Sequence, residues 1–526
     1  MHTFRSTDVT ASINVSHFSS HLVWAMLAMA LTCWVYVLKQ RRRRGLLPPG
    51  PCSIPVLGNL HQLGVLFHQA LHELSKKYGP LMYLRLGSIP FVVVSSSKMA
   101  REVLKVHDLA FASRPRTTAV EYLQYDGANI VFAPYGADWR LKRKVCTLEL
   151  LTSKRLQQHK SVRMEEICVL LKSIYEDSSI TSGSTVNVSG KFGALGLNIV
   201  SRMMLNKRIA ASVEHDAMDF KVVFDELLSM LGAVVFGDLI PYLAWFDPHG
   251  YKRSMKRIHQ RLDSLLEGII HEHEMQMHKP TEEGSKDLLH ILLNLKSDGE
   301  GTNILSRTSI KGIVQDMLVG GSNTSSHTLN WAMAELLRNP TLLQKAQIEI
   351  ATVVGHSRKV DECDISELKF LRAIVRETFR LHPALPMLVP RESLEPCEIA
   401  GYSIPRATRV FVNAWAIGRD PSVWPRPLEF NPERFLLESS HIDVLGHDFE
   451  LLPFGSGRRG CPGIALGLCM VQHTLACLLH CFDWCLPQGQ IPQQLDMQEA
   501  PGIVLAKAKD LIVVPTPREV AHLYIQ

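Results

Sequence analysis

The nine residues GSGRRGCPG, 455 to 463, restrict the fold more than any other stretch, because their two possible uses need different chains around them. Gly455, Gly457 and Gly460 have the GxGxxG spacing of a turn that brings backbone amides to a pyrophosphate. Cys461 beside them has the chemistry of a metal ligand. The first use requires a strand, the turn, a helix and then the rest of a parallel sheet. Only about 65 residues follow Gly460, prolines 453 and 462 flank the turn, and Asp483 alone stands near a ribose-binding distance. The metal-ligand reading is therefore preferred. Glycines let the backbone close around a bulky ligand, and the apolar run from Ile464 begins a helix whose first amides favour thiolate at Cys461.

A chain of 526 residues with 46% hydrophobic and 21% charged side chains can bury a large core, which excludes disordered and collagen-like classes. A net charge of +6 with no basic-aromatic stripe gives no footprint for nucleic acid, and suits an anionic membrane or an acidic protein partner. Eleven cysteines without a CxxC pair do not form the framework of a small secreted domain; reduced thiols in the cytosol are expected.

Residues Leu22 to Leu38 are apolar except for one threonine, and Lys39 and Arg41 to Arg44 follow them. As a helix they reach roughly 25 Å, nearly a hydrocarbon core, with Trp24, Trp34 and Tyr36 suited to the interfaces. A cleaved signal peptide carries its charge before the apolar run, not after it. We expect a luminal tail (1–21), one transmembrane signal anchor (22–38), a basic and proline-rich linker (39–59) and a cytosolic body (60–526). Amphipathic patterns near 65–78, 97–107, 136–150, 217–236, 252–278, 310–338, 340–354, 366–381 and 463–482 predict helices. LMYLRLG, PFVVVSS and RVFVNAW predict strands, so the body is mainly α with a small β portion.

Phe454, Gly457, Arg459, Cys461 and Gly463 spell FxxGxRxCxG, which resembles the haem-binding loop of the cytochrome P-450 superfamily. Three more matches follow the family's order: WRLKR (Trp139 to Arg143), ETFR (Glu377 to Arg380) and PERF with Arg434. Glu377 and Arg380 share a helix face, where Arg434 can complete a buried charge network. The resemblance runs from the proline hinge to the C-terminus and is strongest to plant A-type flavonoid and phenylpropanoid hydroxylases. It implies the P-450 fold and heme b, with Cys461 as axial iron ligand and Trp139, Arg143, Arg391 and Arg459 on the propionates. It also implies a monooxygenase acting on an apolar or phenolic molecule with O2, fed by NADPH-cytochrome P-450 reductase at the endoplasmic reticulum membrane. Some segments also resemble in-chain fatty-acid hydroxylases of spore and pollen wall. A reductase-independent haem-thiolate isomerase or dehydratase and a non-catalytic haem carrier are the other readings.

GGSNTSSHT, Gly320 to Thr328, puts residues of poor helix propensity in mid-helix, a local cost expected of a site. A bond from the Thr324 hydroxyl to the Gly320 carbonyl would open a groove for dioxygen; close helix packing is the alternative use of these glycines. The family usually has an acid where this chain has Asn323, which orients water but exchanges no proton near neutrality. Thr324 and ordered water, with Ser322, Ser325 or a more distant acid, would then deliver protons. Substrate contacts are expected from the loop before Trp139, Val319 and Gly320, Ala384 to Leu388, and Ile503 with Val504. HEHEMQMH (271–278) fits no HExxH, since His273 and His278 stand about 140° apart on a helix, and reads as a solvated helix end. His473, Cys477, Cys481 and Cys485 would span about 18 Å as a helix, too far for one metal, and read as core.

Overall fold

The computed structural model describes residue 24 and residues 47–179, 183–210, 215–277, 287–295 and 305–525. Apart from Trp24, the expected anchor at 22–38 lies outside the described residues. The helices that build the site are α1 (Phe67–Tyr78), α2 (Ala137–Val145), α3 (Lys160–Ser178), α4 (Val188–Leu205), α5 (Tyr251–Met277), α6 (Leu288–Asn294), α7 (Arg307–Arg338), α8 (Pro340–Val354), α9 (Lys369–Leu381) and α10 (Ile464–Cys481). The strands are β1 (Leu81–Leu86), β2 (Ile89–Val94), β3 (Val186–Asn187), β4 (Arg391–Glu392), β5 (Cys397–Ile399), β6 (Tyr402–Ile404), β7 (Arg409–Val412), β8 (Phe482–Cys485) and β9 (Ile512–Pro517). The main sheet runs β1-β2-β7-β4, β2 and β7 being parallel and the other pairs antiparallel. Helices dominate and the sheets are small, as expected.

Helix α7 is the central element: it starts at an N-cap in which Ser306 accepts from the Ser309 amide, and it packs on α4, α9 and α10. The α4–α7 contact is close because both helices carry glycine there. A Cβ on Gly321 would stand 2.8 Å from Val200 Cγ2, whereas one on Gly320 would meet nothing within 4 Å. The two glycines thus divide the uses foreseen for them: Gly321 lets the helices approach, and Gly320 keeps its flank open. Gly321→Ala therefore lowers unfolding stability by about 1–3 kcal/mol through forced repacking, while Gly320→Ala, which meets nothing and removes a helix-propensity cost, raises it by about 0.5–1 kcal/mol. Denaturant midpoints of the two variants check this.

Two local readings are corrected. Helix α10 ends at Cys481, and β8 then alternates buried and exposed residues; His473, Cys477 and Cys481 are in the core, but Cys485 is exposed. The end of α5 is solvated at His271, Glu272, Met275 and Gln276, as expected, but His273 is not. It is 3% exposed and bonds Asp287, whose position 14 residues later no local pattern reveals; His278 lies outside the described residues. The proline-rich stretch also belongs to the body from Pro49 onward, whose carbonyl accepts from Tyr83 N (2.8 Å), and Gly58 bridges Leu86.

Candidate active site

Cys461 follows a short turn, Gly457–Arg459, and precedes α10. Gly457 has φ +71°, and a Cβ there would lie 2.3 Å from Leu104 O, so this position requires glycine. The loop is held by Cys461 N donating to Phe454 O (2.9 Å), and the Phe454 ring packs edge-on to Phe379 at 5.2 Å. Gly463 N donates to the sulfur at 3.3 Å. Burial pushes the thiol pKa up; the Gly463 amide and the charge of Arg143 oppose it and are outweighed. The helix-side amides expected to favour thiolate reduce to one, and a metal bond would hold the sulfur ionised outright.

Around this sulfur the chain gathers guanidinium groups with little to neutralise them. The Arg143 guanidinium makes no hydrogen bond or ion pair among the described residues and has the Cys461 and Cys146 sulfurs nearby. Arg391 bonds Asp108 (3.0 Å) and the Ser456 carbonyl (2.8 Å). Arg459 donates to the carbonyls of Ala112 (2.7 Å) and Ala133 (2.6 Å) and lies over the Trp139 ring at 4.1 Å. Arg114, not singled out in the sequence, donates to Val131, Val389 and Pro390 carbonyls. Asp108 is the one carboxylate bonded to any of these four among the described residues. Burial, with Arg391 and Arg143 nearby, pushes Arg459 down to about 9, and burial, Arg391 and Arg459 push Arg114 well down too. Buried cations in such excess are stable only beside an anionic ligand. The Trp139 indole N–H differs from expectation: it donates to the Ile130 carbonyl (3.0 Å), and the ring serves as a platform for Arg459.

Glu377, Arg380 and Arg434 do meet. Glu377, 0% exposed, accepts from Arg380 Nε (2.7 Å) and Nη2 (2.8 Å), Arg434 Nε (3.1 Å) and the Asn431 amide (2.8 Å). Arg380 also donates to the Pro427 and Glu429 carbonyls. The trio therefore fastens α9 to the segment that precedes the cysteine loop.

On α7, Thr324 Oγ1 donates to the Gly320 carbonyl at 2.7 Å, the bond expected from the sequence. Ser322 is buried and donates to Leu318 O, so it is tied into the helix. His327 was not foreseen: three residues past Thr324 and four past Asn323, it falls about 60° around the helix from the former and between the two. It has no hydrogen-bond partner among the described residues, and burial pulls its pKa down, so it is neutral at pH 7. Three turns before His327, Asp316 accepts from Ile130 N (2.6 Å), Val131 N (3.0 Å) and Asn129 Nδ2 (2.8 Å), tying α7 to the loop before Trp139. Burial drives its carboxyl up to about 7 despite these donors. An unfolded aspartate titrates near ~3.9, so from there to about 7 the native chain keeps a proton that the unfolded chain has lost. Wild-type stability relative to Asp316→Asn therefore falls as pH rises through that window and is level above it, as denaturation midpoints at stepped pH will read.

An apolar channel of about 200 Å³ is lined by Phe132, Leu231, Val235, Pro390 and Ile503 among others. The larger surface depression, about 420 Å³ between Gln344, His356 and Asp483, lies at the far end of α10, on the order of 25 Å from the cysteine.

A lone sulfur ligand beside four arginines that share a single bonded carboxylate among the described residues fits a flat, carboxylate-bearing metal macrocycle. The class so defined is a haem-thiolate enzyme. The chain matches the Cytochrome P450 family model over residues 48–514 and belongs to that family. It is 42% identical over 94% of its length to a flavonoid 3'-monooxygenase of Crocosmia x crocosmiiflora, covering 98% of that protein. It is 42% identical to the flavonoid 3'-monooxygenase of Petunia hybrida (91% and 94% covered), and 41% identical to a phenylacetaldehyde oxime monooxygenase of Prunus mume (91% and 90%). A solved zebra fish cytochrome P450 with progesterone superposes with a TM-score of 0.71 at 26% identity, over 86% of this chain and 99% of that one. This chain is a cytochrome P450 monooxygenase that uses O2, and its cofactor is haem b.

Proposed function

We propose that the enzyme hydroxylates the aromatic ring of a flavonoid. The carrying observation is the identity of 42% to flavonoid 3'-monooxygenases across almost the whole chain. The apolar channel supports it, since it suits a flat aromatic substrate better than a charged one. Cys461 would ligate the iron, and Arg143, Arg391 and Arg459, with Arg114, would neutralise the propionates. Haem, when bound, supplies the activation of dioxygen that a side chain cannot. The Thr324 hydroxyl, its hydrogen on the Gly320 carbonyl, would offer its oxygen lone pairs as an acceptor to a water in the groove, and the Asn323 amide and His327 ring would orient that water. Electrons reach the site from NADPH through a separate membrane-bound reductase.

The body rests on the endoplasmic reticulum membrane, anchored by residues 22–38 with the catalytic domain cytosolic. Tyr242 and Trp245 are 80% and 81% exposed, and Val56, Val65 and Phe246 are exposed too. The turn after β1 joins the two segments: Gly87 N donates to Leu57 O, and Ser88 N to Leu239 O. Such a rim of aromatic and aliphatic residues suits the headgroup boundary. A chain lacking residues 1–46 still sediments with phospholipid vesicles, and Tyr242→Ser with Trp245→Ser weakens that binding roughly 10-fold or more.

The test of substrate class is incubation of microsomes containing the protein and its reductase with NADPH and a panel of flavonoids, hydroxycinnamate esters and medium-chain fatty acids. A ring-hydroxylated flavonoid as the main product is expected. Turnover of fatty acids alone, or product formed from a peroxide without NADPH, overturns the proposal.

A further inference from the structure

We propose that His273, Asp287 and His290 form a binding site for a zinc-type divalent transition-metal ion, remote from the haem and linking α5 to α6. His273 Nε2 lies 2.8 Å from Asp287 Oδ2, and His290 Nδ1 lies 3.2 Å from Asp287 Oδ1. One donor atom from each side chain falls within 4.8 Å of the other two. Zinc bonds of ~2.0–2.2 Å at tetrahedral angles place donor atoms about 3.4 Å apart, so an ion draws the widest pair together by little more than about 1 Å.

The hydrogen bonds around the cluster set each ligand. His273 Nδ1 lies 2.8 Å from the Ile269 carbonyl, which can only accept, so this nitrogen carries the hydrogen. Nε2 then meets the Asp287 carboxylate through a proton, and a divalent cation can take that proton's place on the same two atoms. A backbone carbonyl behind the distal nitrogen is also the usual support of a metal-bound imidazole. Asp287 is oriented by capping α6: its Oδ1 accepts the His290 amide at 2.9 Å. His290 Nε2 is buried without any partner. Side-chain exposures of 4%, 5% and 12% leave the three groups shielded, His290 the most accessible. Two imidazoles and one carboxylate select zinc or its borderline neighbours over calcium or magnesium, with water as the fourth ligand. Because α5 and α6 both pack on α7, an ion here stiffens the helical layer behind the active site.

The test uses the full-length haem-loaded protein without a histidine tag, dialysed against chelator and re-equilibrated with zinc chloride. Metal per chain is measured by plasma mass spectrometry, beside His273→Asn/His290→Gln and Asp287→Asn. We expect the wild type to keep one zinc more than either variant, the variants to bind it at least about 10-fold more weakly, and zinc to raise only the wild-type melting temperature. Zinc-edge X-ray absorption of the wild type should show two imidazole ligands, which keeps the proposal testable where a variant fails to fold. Equal zinc in wild type and folded variants, or an edge spectrum without imidazole, overturns it. The ferrous carbon monoxide spectrum, read on the same samples, reports the haem site separately.

Discussion

Replacing Cys461 with alanine should abolish product formation while leaving the helical far-ultraviolet signal intact. Among the described residues the sulfur takes one hydrogen bond, from the Gly463 amide, and the Cys461 amide still donates to the Phe454 carbonyl when the side chain is removed, so the loop's shape depends little on the sulfur. What is lost is the axial ligand and the electron density it supplies. Losing a mere supporting partner of a metal ligand costs roughly 10–100-fold, and loss of the ligand itself should exceed that range. Turnover with NADPH and reductase, normalised to total protein, measures it. Residual activity within about 10-fold of wild type would mean that another residue holds the iron.

Glu377→Ala has the largest expected effect on folding. The carboxylate has no exposed surface and takes four hydrogen bonds, three of them from Arg380 and Arg434. Its removal leaves two buried guanidiniums with carbonyl partners but no countercharge. Stranding a buried ion costs about 3–5 kcal/mol, and here two are stranded, against a total domain stability of about 5–15 kcal/mol. The variant should accumulate as aggregate or apoprotein in expression trials at 37 °C. Arg434→Lys, which keeps the charge but loses the fork onto Glu377 and Pro425, should fall between wild type and Glu377→Ala in thermal midpoint.

Features that arise within one helix or one loop were legible in the sequence. Thr324 and Gly320 are four residues apart, so their bond follows from helix geometry, and α8 spans 340–354 as its pattern predicts. Helices α3 and α4 were missed because neither shows a clean stripe. Helix α4 is buried on nearly every side, and α3 buries Arg163 and Glu166 among its aliphatics, with Arg163 paired to Glu362 across the fold. The arginine cluster was partly legible: three members sit in recognisable phrases, but Arg114 gains its role from carbonyls about 275 residues away. Trp139 was assigned a partner outside the chain, and the fold supplied the Ile130 carbonyl instead. Asp316 and His273 were invisible for the same reason, since each is defined by a partner on another element.

The central claim is that an ionised Cys461 sulfur binds haem iron, and the carbon monoxide difference spectrum of the reduced, purified protein tests it most directly. The account predicts the red-shifted Soret band of a thiolate-ligated ferrous haem, present in wild type and absent in Cys461→Ala. A spectrum of the imidazole-ligated kind in freshly purified wild type, or a colourless protein from cells supplied with haem precursor, would contradict it.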